Sequence, residues 1–300
     1  MIPLFDLHCD TLLELYKSNT SIDSNNLHIS LEKARCFSPY VQIGAIWSEK
    51  TLDDRSAYCQ YLKVIDYISN HNDIIFATKA SLLRERSFIL AIEDARILCN
   101  NISILDDFYS DGVRVLGLNW SGVNSLGGAW DTTTPLSDFG KEVVQRCCEL
   151  GIIVDISHSN EETSKEVIEI CEAHGGYVFA SHSNAFGAYP HYRNLSNKLF
   201  TKLKNINSVV GISLSSIHLS NSVAYISDVL RHIEHFLKLG GENNICLGCD
   251  FDGVDTLPAG IDSIADLTSL YKEVSASFGE FFSKKLFFKN AYSFICKALK

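Results

Sequence analysis

The segment FDLHCDT, residues 5–11, carries three groups able to ionise or bind a metal, Asp6, His8 and Asp10, at every second position. A pleated strand sends every second side chain to the same side. The stretch therefore reads either as a solvated strand edge or as a metal site built at a strand end. Polar residues recur at the ends of other apolar runs: Glu93 in LAIED, Trp120 in GLNW, His158 in VDISHS, His182 in FASHSN, and Asp250 and Asp252 in GCDFDG. Imidazole and carboxylate without thiolate suit zinc, with iron, cobalt or manganese as substitutes. Five candidate ligands, His8, Asp10, Glu93, His158 and His182, exceed one catalytic tetrahedral site, which uses about three protein ligands. They fit two ions that share a bridging carboxylate. Such a pair acidifies a shared water and polarises a carbonyl, which is the equipment for metal-assisted hydrolysis of an amide or ester.

Each signal is weak alone. H-x-D recurs at His71-Asn72-Asp73, where the surroundings read as a helix end. A lone buried histidine is more often a hydrogen-bonded core residue, and Asp-Gly favours a turn. Position separates the candidates. His28, His71, His174, His218, His232 and His235 are scattered, whereas His8, His158 and His182 all end apolar runs. The single C-x-x-C, Cys246 to Cys249, lacks the context of a redox pair or a zinc ribbon and reads as structural.

The elements that must position these residues repeat as a short apolar run followed by a longer amphipathic one. The apolar runs are residues 2–8, 40–47, 87–93, 113–120, 151–158, 177–182, 209–215 and 244–251. They are apolar on both faces, as buried parallel strands are. Helices are expected at 141–151, 159–176 and 224–241, each ending in glycine. A further helix over about 280–299 has no strand after it and packs as an addition. Eight strands alternating with helices, with no linker between, point to one α/β domain over residues 1–300, a (β/α)₈ TIM-type barrel. Strand C-termini of such a barrel gather at one face, so the polar strand ends converge. An open doubly wound sheet would place a glycine-rich loop after the first strand, and HCDTLLE has no glycine.

The composition fits a globular enzyme: 46% of residues are hydrophobic, and the net charge is −10 with a pI near 5.4. That charge argues against nucleic-acid or anionic-membrane partners. No run is long enough to span a bilayer. The start MIPLFDLHCD lacks the pattern of a secretion signal. Ten scattered cysteines then read as reduced thiols of a cytoplasmic protein.

Taken in order, HCD, Glu93 after the third strand, DISHS, SHSN, YRN and GCDFDG resemble the membrane (renal) dipeptidase family, the M19 metallopeptidases. GVDTLPAGIDS extends the match past the last strand, so it covers nearly the whole chain. The resemblance implies a distorted barrel with two zinc ions and a small dipeptide as substrate, often with a C-terminal D-residue; some members open β-lactams. By position, His8 and Asp10 would hold one ion, His158 and His182 the other, and Glu93 both. Arg193 would hold the substrate carboxylate, for which a planar guanidinium fork suits. Asp250 would take the proton of the metal-bridging hydroxide's parent water and pass it to the leaving amine. Asp252 reads as structural, Asp6 as support for a ligand histidine, and Cys9 as packing. The animal enzymes carry a histidine where Trp120 stands, or Asn119 if the register slips by one; both are candidate substrate-binding residues. The segment 120–135 reads as an active-site loop. Homodimerisation is implied by the resemblance alone. The rival readings are a lactam or lactone hydrolase on the same barrel and a non-catalytic binding protein. A phosphoesterase of the H-x-H type is disfavoured by Asp10.

Overall fold

The computed structural model describes residues 1–71 and 74–299. Asn72 and Asp73, which complete the second H-x-D, lie outside the described residues. Eight strands form one sheet: β1 (Ile2–Cys9), β2 (Phe37–Trp47), β3 (Arg86–Glu93), β4 (Val113–Gly117), β5 (Ile153–Asp155), β6 (Val178–Phe179), β7 (Val210–Ile212) and β8 (Ile245–Leu247). The order is β6-β5-β4-β3-β2-β1-β8-β7, with every pairing parallel. The circuit closes between β6 and β7. There Ala180 bridges Val210, and the amide of Gly211 donates to the Ala180 carbonyl at 2.8 Å. Gly211 and Gly248 are needed at this seam, because a Cβ on either would run into the carbonyl of Ser181. The expected barrel is present.

Helices alternate with the strands: α1 (Thr11–Ser18), α2 (Asp54–Ser69), α3 (Ser103–Ser110), α4 (Asp138–Leu150), α5 (Glu161–His174), α6 (Asn197–Asn205), α7 (Ser216–Leu219), α8 (Ile226–Lys238) and α9 (Leu267–Phe278). The expected signals set their ends. Ser137 caps α4 by accepting from the Gly140 amide at 2.9 Å, and Asn160 caps α5 by accepting from Thr163 at 2.8 Å. Gly151 and Gly175 stop them with φ of 74° and 68°. The stretch expected as one last helix is three pieces: α10 (Glu280–Lys284), a π-helical turn (Lys285–Lys289) and α11 (Asn290–Ala298).

Two apolar layers hold the barrel. One lies between sheet and helices. The other fills the interior with Phe5, Leu7, Ile43, Ile89, Val115, Ile153 and Phe179, and it includes Phe294 and Ile295 of α11. The C-terminal helix thus plugs the end of the barrel where the strands begin. The opposite end is left for chemistry.

The apolar runs overstate five strands. The last ladder residue of β4 is Gly117, of β5 Asp155, of β6 Phe179, of β7 Ile212 and of β8 Leu247. Trp120, His158, His182 and Asp250 therefore stand on loops just beyond the strands, not at their final rungs.

Candidate active site

His8 is the penultimate residue of β1, Asp10 precedes α1, and Glu93 ends β3; His158, His182 and Asp250 follow β5, β6 and β8. The loop after β8 is pinned to β1 by backbone bonds, Asp250 N to His8 O at 3.1 Å and Asp10 N to Phe251 O at 3.0 Å. Asp250 and Asp252 take left-handed φ values of 65° and 64°. Aspartate and asparagine tolerate that region better than most residues.

The five candidate ligands converge. His8 Nε2 lies 3.8 Å from both Asp10 Oδ2 and Glu93 Oε1, and 3.9 Å from Asp250 Oδ1. Glu93 Oε1 lies 2.7 Å from His158 Nε2 and 3.6 Å from His182 Nε2. Two groupings share Glu93: His8 with Asp10, and His158 with His182. Glu93, Asp10 and Asp250 crowd negative charge around His8. Burial opposes protonation of His8, yet these carboxylates, Glu93 foremost, raise its pKa to about 10. Burial, then Asp10, pushes Glu93 well above the usual carboxylate range. Burial foremost holds His158 and His182 well below the ordinary imidazole value, with Arg193 and His8 adding to it.

Buried atoms without partners test whether a cation fits here. Among the described residues, His8 Nε2 and Asp10 Oδ1 have no hydrogen-bond partner. His158 Nε2 and His182 Nε2 face each other at 2.8 Å. Unpartnered imidazole and carboxylate atoms beside two ring nitrogens that face each other are what a divalent cation satisfies, so the residues fit a metal.

Their outer nitrogens are held by the chain. His158 Nδ1 lies 2.8 Å from the carbonyl of Trp120, which also accepts from Trp130 Nε1 at 3.1 Å. Ser181 Oγ lies 2.7 Å from His182 Nδ1 and 3.3 Å from His8 Nδ1, and donates to Asp155 Oδ2. Asp155 Oδ1 accepts from the Ser157 amide, the Ser157 hydroxyl and the Ser181 amide at 3.0, 2.7 and 3.0 Å. Each of the three rings is thereby turned with Nε2 inward. The sequence reading missed Asp155, Ser157 and Ser181. Their signal was a polar side chain inside an apolar run, VDIS and FASH.

A cavity of about 360 Å³ opens on the cluster. Asp10, Glu93, Trp120, His158, Arg193 and Asp250 line it, together with residues of several loops. Asp250 is raised to about 6, foremost by burial, with His8 pulling the other way. Arg193 is buried, and among the described residues no carboxylate lies within ion-pair distance of it. Its Nη1 donates to the Ser157 carbonyl, and its Nη2 lies 3.0 Å from His158 Nε2. Trp120 forms a wall, its ring 6.1 Å from His158 and 5.1 Å from Trp47. The segment 120–135 lines the cavity through Trp120, Ser121 and Trp130.

Three expectations are placed differently. Asn119 does not line the cavity: its amide donates to Asn124 Oδ1 and the Gly127 carbonyl, both at 3.0 Å, so it braces the loop. Asp6 supports no ligand histidine. Its Oδ1 accepts from the Cys249 amide at 2.7 Å, and a register irregularity between Asp6 and Cys9 interrupts the alternation. His218, read as scattered, lines the cavity. Asp252 is structural as expected, accepting from Thr11 Oγ1 at 2.6 Å and the His28 amide at 2.7 Å.

Among the described residues no helix is long and apolar enough to cross a membrane. The model of the membrane dipeptidase family, peptidase family M19, matches residues 1–293. An uncharacterized dipeptidase of Schizosaccharomyces pombe is 28% identical over 312 residues, covering 91% of this chain and 75% of its own length. The crystal structure of dipeptidase AC, a family M19 metallopeptidase, superposes with a TM-score of 0.88 at 25% identity, covering 99% of both chains. A metallopeptidase from Rhodobacter sphaeroides, liganded with a phosphinate mimic of L-Ala-D-Ala, gives a TM-score of 0.90 at 23% identity, over 100% of this chain and 99% of that one. With the family match spanning nearly the whole sequence, the chain belongs to the M19 membrane dipeptidase family and is a metallo-dipeptidase.

Proposed function

We propose that the chain hydrolyses the peptide bond of dipeptides, including those with a C-terminal D-residue, at a site for two zinc ions that cobalt, manganese or iron can replace. His8 and Asp10 would hold one ion, His158 and His182 the other, and Glu93 both. When bound, such ions supply an acidified water and a Lewis acid for the scissile carbonyl. Asp250 takes a proton at its carboxylate and returns it to the leaving amine. A carboxylate poised near neutrality suits that double task, and burial moves Asp250 that way. Arg193 receives the C-terminal carboxylate of the substrate and fixes its direction across the cavity.

The observation that carries this reading is one cavity lined by Asp10, Glu93 and His158 of the ligand cluster, by Asp250, and by a buried guanidinium that has no carboxylate partner among the described residues. A buried unpaired guanidinium is costly unless an anion arrives. The test is a panel of L-L and L-D dipeptides, their C-terminal amides and a lactam, assayed on protein loaded with zinc, cobalt or manganese. Cleavage that strongly favours peptides with a free carboxylate over their slowly cleaved amides, with the lactam left intact, is the expected result. Cleavage of the lactam alone, or a purified protein that takes up no divalent metal, would sink the proposal.

A further inference from the structure

His218 lies outside every motif that marked the site, yet it shares the cavity with Arg193, Glu93 and Asp250. It sits on α7, the short helix after β7. Its ring centroid is 4.9 Å from that of His191, whose Nδ1 accepts from the Arg193 amide at 3.3 Å. Asn194 Nδ2 donates to the His218 carbonyl at 2.8 Å. These contacts fasten α7 to the segment that carries Arg193. Among the described residues, neither ring nitrogen of His218 has a hydrogen-bond partner.

Arg193 offers less than a whole fork. One Nη is spent on the Ser157 carbonyl, and the other leans toward His158. A carboxylate has about four lone-pair directions to satisfy, so a further donor on the same wall completes its binding. Burial foremost, then Arg193, holds the pKa of His218 down to about 3. The imidazole is therefore neutral at ordinary pH and offers one N–H without placing a second positive charge beside the guanidinium.

We propose that His218 is a substrate-binding residue whose ring N–H donates to the C-terminal carboxylate held by Arg193. This rests on the dipeptidase reading above. The experiment is steady-state kinetics on the zinc-loaded protein, with dipeptides bearing a free C-terminus and the same dipeptides as amides. His218→Ala is expected to raise KM for the free dipeptides about tenfold, the scale of one hydrogen bond to a charged group, with little change in kcat. KM for the amides should not move, and zinc content, read by mass spectrometry, should match the parent. His218→Gln keeps an N–H donor and should recover most of the affinity. His218→Phe keeps the ring's bulk without the N–H and should repeat the alanine result even if alanine disturbs packing. A KM rise shared by free and amidated substrates, no rise at all, or loss of zinc overturns the proposal. Normal parental turnover with an unmoved KM overturns this inference alone, whereas a parent that cleaves no dipeptide overturns the reading beneath it as well.

Discussion

Asp155 spends both carboxylate oxygens on two serines, and through Ser181 it reaches the Nδ1 atoms of His182 and His8. Removing such an outer partner commonly weakens metal binding ten- to hundredfold, so Asp155→Ala should lower zinc affinity by about that factor. Competition with a chromophoric chelator reads it, and unchanged affinity would mean the rings hold their orientation without Asp155. Asp250→Asn makes a contrasting prediction. Asparagine tolerates the left-handed backbone and keeps the shape, so the metals should stay while turnover falls about 10²- to 10⁴-fold, the span of general acid–base catalysis. Full activity in that variant would remove Asp250 from its role. The five ligand candidates were legible because imidazoles and carboxylates stood at the ends of apolar runs. Asp155 was not, because one acid inside GIIVDISH looks the same whether it faces a ligand or a helix. Asn119 and His218 misled for a related reason. A position in one dimension does not say which way a side chain turns, or which loop folds back over a cavity.

All eight strands were legible as elements, since each is apolar on both faces. The C-terminal ends of five of them, β4 to β8, were not. The apolar runs continue past the last ladder pair, and there side chains take over the satisfaction of the backbone. Asp155 receives two amides after β5 and β6, and Asn124 Nδ2 donates to the Leu118 carbonyl after β4 at 2.7 Å. The loop after β8 is held in the same way by Asp252, which joins it to Thr11 and to His28. Asp252→Ala loses both bonds and leaves a residue ill suited to the left-handed backbone. It should cost about 2–3 kcal/mol of stability in urea unfolding. Asp252→Asn, which keeps the backbone tolerance, should cost less. Equal losses would show that backbone conformation contributes nothing at this position. The π-helical turn within the last helical stretch left no mark in the sequence, because the apolar spacing runs on through it.

At the scale of the molecule, His232 links folding to acidity. It is fully buried, with Nδ1 accepting from the Ala185 amide at 3.0 Å and Nε2 3.4 Å from the Leu219 carbonyl. Burial foremost depresses its pKa from 6.5 to about 4. The unfolded chain therefore binds a proton at higher pH than the folded one. The stability this group contributes is present above about pH 6.5 and is lost as pH falls toward 4. His232→Gln should make the dependence of unfolding free energy on pH shallower by up to one proton across that window. An unchanged slope would mean His232 does not titrate on unfolding. Removing metal is expected to act on the whole fold as well. A ligand that binds only the folded chain stabilises it by mass action, so chelation should lower Tm and added zinc should restore it. A Tm indifferent to chelation would speak against metal at this cluster. One further consequence lies in the pinning of the loop after β8 to β1. His8 and Asp10 are made well before Asp250, so no nascent chain that stops short of the loop after β8 holds the complete site. The cluster is thus assembled only once all eight strands are present and the circuit of the barrel has closed.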